Sequence, residues 1–589
     1  MTLFLSGRAY SINLNFKIVF SNNTYLQPYF CSPNNCFTMK YCFVFVLGLF
    51  TVITSNSQSS SSAASKTGVA RPKLVVGIVI DQMRWDYLYR YNDVFKANGG
   101  FKRMLNDGYS CENTMIPYTP TYTAAGHTCV YTGSVPAIHG IMGNNWYDNQ
   151  KRKEVYCAED TTVQTVGSGN TAAGAMSPAN MLTTTITDEL RLATNFQSKV
   201  VGVALKDRGA ILPAGHSANA AYWYDGKSGN FITSTYYMNV LPDWVQNFNN
   251  RKMVDSLYQL NWTLALPKEA YLTYCTADDK PYEGKPFGTP NSAMPYDLSK
   301  YVGTDYGKIS STPHGNTLTV EMAKAAVINE GLGKSGATDF LAISFSSPDY
   351  IGHAFGPNSW EQLDDYVRLD ESIGKLFDFL DATVGKGQYT AFLTADHAVA
   401  HVPGFMKENR LPGGTINEGN ILKGLNQMLK DKFGKDNIIV NASNYQFYLN
   451  HALIEASDMD KNDIVRQTIK YLRNIDGVVN AFEMEKLAQT TLTATLKERV
   501  TNSYLPARSG DIQIILKPGY IDGGATGTTH GLWNPYDSHI PLLWYGWGIR
   551  KGKTNMETYM TDISPTVAAL LHIQMPSGSI GQVIEDVMK

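Results

Sequence analysis

Charge is scarce in this 589-residue chain: Asp, Glu, Lys and Arg together make up 17% of it, and the formal net charge is only −2. Without a basic excess there is no electrostatic footprint for duplex nucleic acid, which excludes that class of partner. Cysteine is also sparse, at seven residues. Only Cys111, Cys129, Cys157 and Cys275 lie beyond the N-terminal segment, and none has the spacing of a metal-binding knuckle. Their pairing cannot be read from sequence. No internal repeat runs along the chain, and no apolar run reaches the length of a comfortable membrane span. The apolar fraction of 43% is that of a globular protein.

The N-terminal part differs from the rest. From Met39, "MKYCFVFVLGLFTVITSNSQSSSSAASK" reads as one lysine, an apolar run of about a dozen residues and then small polar residues, the pattern of a secretory signal peptide. Ser55 and Ser57 are acceptable to a signal peptidase, so cleavage is expected near Ser57. No cysteine stands at a lipoprotein position, so no membrane anchor is expected after cleavage. Residues 1–38 carry neither periodicity nor targeting logic, which places true initiation at Met39. The expected organisation is a leader over 1–57 with the signal peptide at 39–57, a Ser-rich linker at 58–71, and one catalytic domain over 72–589.

Within that domain, "KLVVGIVID" (73–81), "SKVVGVALKD" (198–207), "DFLAISFSSPD" (339–349), "YTAFLTADH" (389–397) and "HIPLLWYGWGI" (539–549) are apolar on both faces. Strands of that kind belong to a sheet covered by helices on each side. Helical patterns such as 364–384 alternate with them, predicting an α/β fold: a doubly wound, mostly parallel sheet flanked by helices. Two regions break the alternation, about 246–310 and about 440–510, and read as cap insertions.

The polar residues fall where such a sheet binds ligands. Four of these strands end in Asp81, Lys206, Asp349 and the pair Asp396-His397, and open α/β sheets bind ligands outside the carboxyl ends of their strands. Asp349 and His353, four apart, suit one helical turn. His530 lies in the Gly/Thr-rich "GTTHG". Three aspartates and three histidines suffice for two ions with open positions, and imidazole with carboxylate favours zinc, with manganese or iron open. His401 is read as lying outside this set. Lys206 and Arg208, two apart at a strand end, are expected to share one face.

"VVGIVIDQMRWDYL", "TPTYTAAGHTCVYTGSVPAIHGIMGNNWYD", "KDRGAILPAGH", "SPDYIGHAFGP", "TADHA" and "GTTHG", in that order, resemble the alkaline phosphatase superfamily. They are most similar to its secreted, phosphate-irrepressible members with a threonine nucleophile, relatives of the nucleotide pyrophosphatase/phosphodiesterases. The resemblance covers about 72–245, 310–435 and 510–589 and implies two zinc ions per subunit. One would be held by Asp349, His353 and His530, and the other by Asp81, Asp396, His397 and the nucleophile. Counting back from the string Thr132-Gly133, Pro136, His139-Gly140-Ile141 and Asn144 selects Thr123 as nucleophile, with Asn144 contacting a phosphoryl oxygen; Asn145 beside it is a competing choice. The segment after Thr123 reads as a short helix, so this threonine would sit at a helix N-terminus, where N–H groups and the dipole favour phosphate. Read locally, it would be a helix cap.

In the resembling monoesterases a Lys-x-Arg pair at this place binds phosphoryl oxygens, and here it is Lys206 and Arg208. Two zinc ions would balance three aspartates and an alkoxide, and the two basic residues then match a monoester dianion. The resemblance therefore implies hydrolysis of a broad range of small phosphate monoesters through a phosphothreonine intermediate, by a monomer exported to the periplasm or medium. The competing activity on the same fold is a phosphodiesterase or nucleotide pyrophosphatase. A sulfatase is disfavoured because the nucleophile region has no C/S-x-P-x-R motif.

Overall fold

The computed structural model describes residues 69–589; the expected leader, and the linker up to residue 68, lie outside them. The core is a ten-stranded sheet. At its centre stand β1 (Leu74–Ile80), β2 (Val200–Ala204), β3 (Asp339–Phe345) and β4 (Tyr389–Thr394), in the spatial order β4-β1-β3-β2, all parallel. Every residue of these four strands is buried. This explains their unbroken apolar character, since helices cover both faces. Each large aliphatic side chain of β1 contributes roughly 1.5–3 kcal/mol by leaving water. Gly77 interrupts β1 for a steric reason: a Cβ there would lie 2.3 Å from the Tyr131 hydroxyl and 2.7 Å from the Phe392 ring.

The sheet departs from uniform parallel order at its margins. The strand His539–Gly546, read above as one more member of the parallel set, runs antiparallel to β4. The reason lies in the connection. The chain leaves β4 at its carboxyl end and returns, through the loop carrying His530, at that same end, so the next strand can only run back. Beyond it, Tyr109–Met115 is again antiparallel, and Gly552–Tyr559 pairs parallel with Tyr109–Met115. On the other side, Ala220–Asp225 is parallel to β2 and Asn230–Ser234 closes on it as an antiparallel hairpin.

Four helices position the site. They are α1 (Thr123–Thr132), α2 (Asp207–Ala214), α3 (Ser347–Phe355) and α4 (Trp360–Leu380). The 246–310 region supplies short helices and coil whose Trp262, Tyr271 and Tyr296 are buried in the main core. Trp262 Nε1 and the Tyr271 hydroxyl donate to Asp364 of α4 at 2.8 and 2.5 Å. Residues 439–516 hold a separate four-stranded antiparallel sheet, ordered Ile439–Ser443, Gln446–Leu449, Ile512–Leu516, Val478–Glu483. The helices Glu418–Phe433 and Lys461–Leu472 pack on it through Leu425, Leu429, Ile464 and Leu472, giving this cap its own apolar core. No helix among the described residues is long and apolar enough to cross a membrane.

Candidate active site

The carboxyl ends of the four central strands converge. Asp81 follows β1, Lys206 stands just after β2 at the residue before α2, Asp349 lies in the first turn of α3 after β3, and Asp396-His397 follow β4. Two clusters result: Asp349, His353 and His530, and Asp81, Asp396 and His397, each with ligand atoms within 4.8 Å of one another. The strand-end reading anticipated this convergence. Asp349 and His353 are joined by one turn of α3, with His353 Nε2 3.1 Å from Asp349 Oδ1. His397 and His530 stack face to face at 3.5 Å between ring centroids, so the clusters are immediate neighbours.

Each of the three imidazoles turns Nδ1 towards a backbone carbonyl: His353 to Thr528 at 2.8 Å, His530 to Thr121 at 2.6 Å and His397 to Ala398 at 3.0 Å. A carbonyl only accepts, so Nδ1 carries a hydrogen in each and Nε2 is the atom turned towards the cluster, the arrangement that ligating histidines adopt. The carboxylates point the same way. Asp396 Oδ1 accepts from the backbone N–H groups of Gln82 and His397 at 3.1 and 3.0 Å. Asp81 Oδ1 is fully buried without a hydrogen bond, and so is Asp396 Oδ2, which has His127 Nδ1 3.2 Å away with its hydrogen directed at the Thr123 carbonyl. Leaving such groups unpaired is costly, and a cation satisfies them.

The charge balance agrees. Lys206 Nζ donates to Asp81 Oδ2 at 2.7 Å and Asp349 Oδ2 at 2.5 Å, binding one carboxylate of each cluster. One buried ammonium against three buried carboxylates leaves two negative charges uncompensated. Burial, then the charges of Asp349 and Asp396, push the Asp81 carboxyl well above the usual range. Burial also raises Asp349, but His353 and then Lys206 outweigh it and hold that carboxyl well below. Burial pulls His530 well down, helped by His397 and His353, which favours its neutral, ligating form. The donor set, its orphaned oxygens and its negative charge therefore fit two divalent cations.

Thr123 opens α1, but it does not cap it: the N-cap position is Tyr122, in extended conformation, and no side chain caps this helix. The Thr123 hydroxyl instead lies 3.3 Å from His397 Nε2, at the edge of the second cluster. The cap role that local sequence rules assign to it is therefore not the one it plays. Gly126 lets α1 come this close, since a Cβ there would meet the Asp396 carbonyl oxygen at 2.2 Å. Asn144 Oδ1 accepts from the Ala124 N–H at 3.0 Å, which fixes the amide beside the start of α1 and leaves its NH2 to donate. Asn145 points elsewhere, to Glu154 on the surface.

Family comparison agrees with this geometry. A profile of the type I phosphodiesterase / nucleotide pyrophosphatase family matches residues 75–537. This chain belongs to that family. Alkaline phosphatase PhoV of Synechococcus elongatus is 52% identical over 530 residues, 88% of this chain and 94% of that protein. Alkaline phosphatase PafA of Elizabethkingia meningoseptica is 49% identical over 533 residues, 90% and 97% of the two chains. The crystal structure of PafA matches with a TM-score of 0.87 at 48% identity, over 89% of this chain and all of that one. A variant of PafA altered at one threonine, one asparagine, one lysine and one arginine has also been solved. The architecture is that of the alkaline phosphatase superfamily, as the ordered motifs imply.

Lys206 and Arg208 are placed differently from the strand-face expectation. β2 ends at Ala204, so Lys206 stands in the loop and Arg208 in the first turn of α2, where period-2 alternation does not apply. Lys206 Nζ lies 4.9 Å from the ring centre of Tyr350. Arg208 Nη1 donates to the Tyr156 hydroxyl at 3.2 Å, and that hydroxyl donates to Asp207 at 2.5 Å. His401 is outside both clusters, with Nδ1 accepting from the Asn358 amide at 2.9 Å.

Sequence reasoning missed His127. It lies one turn after Thr123 in α1, with Nδ1 donating to the Thr123 carbonyl at 2.8 Å and Nε2 paired with Ser344 Oγ at 2.8 Å. The four-residue spacing from Thr123 was the available signal. The cap also reaches the site: Asn444 and Tyr445 both have positive φ and form the two-residue turn of a hairpin. Asn444 Nδ2 donates to the Asn145 carbonyl at 2.8 Å, and the Tyr445 hydroxyl lies 3.5 Å from the His530 carbonyl. All four described cysteines are unpaired.

Proposed function

We propose that this protein hydrolyses phosphate monoesters to inorganic phosphate and an alcohol, with Thr123 as nucleophile and two zinc ions. Asp349, His353 and His530 would hold one ion, and Asp81, Asp396 and His397 the other. When bound, the ions supply Lewis acidity that activates the nucleophile and stabilises the leaving oxygen. The single observation that carries the reading is the Thr123 hydroxyl, not engaged in capping α1 and 3.3 Å from His397 Nε2 at the edge of the second cluster.

The rest follows from the residues around that hydroxyl. Thr123 Oγ attacks phosphorus in line as the ester oxygen departs opposite, the hydroxyl proton ending on the departing alcohol, and water then hydrolyses the resulting phosphothreonine. The N-terminus of α1 directs its dipole at the transferred group. Asn144, fixed by the Ala124 N–H, donates to a non-bridging oxygen. Lys206 and Arg208 add positive charge for the second and third phosphoryl oxygens of a monoester dianion, whereas a diester has no third non-bridging oxygen and one charge fewer. The threonine, asparagine, lysine and arginine altered in the PafA variant follow the same order and sequence spacings as Thr123, Asn144, Lys206 and Arg208, which supports this set. The leader pattern at 39–57 supports export, placing the enzyme in the periplasm or medium.

The family name also covers diesterases, so the test compares p-nitrophenyl phosphate with its bis ester on the zinc-loaded protein. Faster cleavage of the monoester is expected. Faster cleavage of the bis ester would overturn the proposal.

A further inference from the structure

Immediately after Asp81 the chain makes an uncommon turn. Gln82 is fully buried and has a φ of 69°, a left-handed conformation that a non-glycine residue adopts only when its surroundings hold it there. Two contacts do so. Its backbone N–H donates to Asp396 Oδ1 at 3.1 Å, 314 residues away, and its side-chain Nε2 donates to Asp349 Oδ1 at 2.7 Å, 267 residues away. One residue thus binds a carboxylate in each cluster, on opposite sides of the boundary between them.

The orientation of the amide is dictated by charge. An amide oxygen facing a carboxylate would be repelled, so the NH2 must face Asp349. The other end, Oε1, is buried without a hydrogen bond and lies where α3 makes room for it: a Cβ on Gly352 would be 1.9 Å from that oxygen. Glycine at 352, inside a helix whose other residues have side chains, therefore leaves space for the Gln82 amide.

We infer that Gln82 is a positioning residue that sets the mutual placement of the Asp349 and Asp396 carboxylates and thereby couples the two cation sites. It is fully buried and acts through the ligands rather than on the phosphate. This inference rests on the reading of the two clusters as ion sites, and its test separates the two. The fixed part is the backbone contact to Asp396, which side-chain replacement leaves in place. The variable part is the Nε2 contact to Asp349.

The experiment measures zinc stoichiometry and affinity by competition with a chromogenic chelator, on apoprotein of the wild type, Gln82→Met and Gly352→Ala. Methionine keeps the length of the side chain and removes the donor. Alanine at 352 displaces the amide from the other side while suiting the helix better than glycine. Loss of an outer hydrogen bond to a ligating group weakens metal binding about 10- to 100-fold. Both variants should release at least one of the two ions about tenfold more readily, and kcat should fall with KM unchanged. A merely structural residue would lower the unfolding temperature while the folded protein still bound both ions at wild-type affinity, and that result overturns the inference. Should Gln82→Met not fold, Gly352→Ala decides alone. Wild-type protein that binds no zinc would overturn the ion-site reading itself.

Discussion

Removing both Lys206 and Arg208 takes away the positive charge proposed to meet the phosphoryl oxygens. In the structure Lys206 is fully buried, with its ammonium shared between Asp81 and Asp349, and Arg208 is braced by Tyr156. A charge-assisted hydrogen bond contributes about 1.5–3 kcal/mol. Two such contacts to a monoester dianion sum to roughly 3–6 kcal/mol if independent, a factor of about 10² to 10⁴ in kcat/KM. A diester presents one charge fewer and one oxygen fewer, so at most one contact is available and its loss is about 10- to 100-fold or smaller. The double variant Lys206→Ala, Arg208→Ala should therefore lower the monoester-to-diester ratio of kcat/KM by about tenfold or more. The assay follows p-nitrophenolate release from the mono and bis esters, with zinc content measured in the same preparations because Lys206 also neutralises two candidate ligands. Equal losses on both esters, with two ions retained, would refute the charge-matching argument. Tyr156→Phe, which loosens Arg208 and frees Asp207 while leaving Lys206 in place, should shift the ratio in the same direction by less.

Three further outcomes are expected. Thr123→Ala should abolish turnover, by roughly 10³-fold or more, while changing unfolding stability by no more than about 1 kcal/mol because this side chain caps nothing; Thr123→Ser should retain measurable rate. Activity of the alanine variant equal to wild type would remove Thr123 from the mechanism. Chelation should lower the unfolding temperature and zinc restore it: binding at about a hundredfold excess over Kd contributes about 2.7 kcal/mol per site, roughly 5 °C for two sites in a chain of this size. An unchanged melting curve would argue against ion binding by the folded state. Burial and then Asp522 push the Glu418 carboxyl up to about 8, from an unfolded value of 4.5. The folded state therefore holds the extra proton between those values, so this group's stabilising contribution is full below about pH 4.5 and is lost as pH rises through about 8. Glu418→Gln should flatten that fall in thermal scans, and an identical pH slope would contradict it.

What could be read from the chain was the sheet and the ends of its strands. Strands apolar on both faces announce a covered sheet, and Asp81, Asp349 and Asp396-His397 stand where their apolar runs stop, so their convergence followed from topology alone. Direction was harder. The strand 539–546 has the same apolar pattern as β1, and only the return of the chain to the carboxyl end of the sheet makes it antiparallel. Lys206 and Arg208 were read as strand residues because "VVGVALKDR" continues apolar past Ala204; the turn into α2 carries no glycine or proline to mark it. Gln82 and Tyr445 were invisible for a different reason. Their roles depend on positive φ and on partners far away in the chain, and neither leaves a local pattern.

The separation of these elements bears on how one family accommodates two ester classes. The candidate ligands stand at Asp81, in α3, at the β4 end and in the His530 loop, tied together by buried hydrogen bonds among Gln82, Asp349 and Asp396. Such a network changes only at considerable cost, since any single replacement strands a buried partner. The charge proposed to select a dianion enters through another door, the loop and first turn of α2, where Lys206 touches the candidate ligands but Arg208, among the described residues, is held by Tyr156 and Asp207. Charge at Arg208 can therefore vary without disturbing ion binding, whereas charge at Lys206 cannot. Of the two basic residues, Arg208 is accordingly the one through which ester preference is adjustable, and single replacement there should move the monoester-to-diester ratio while both ions stay bound.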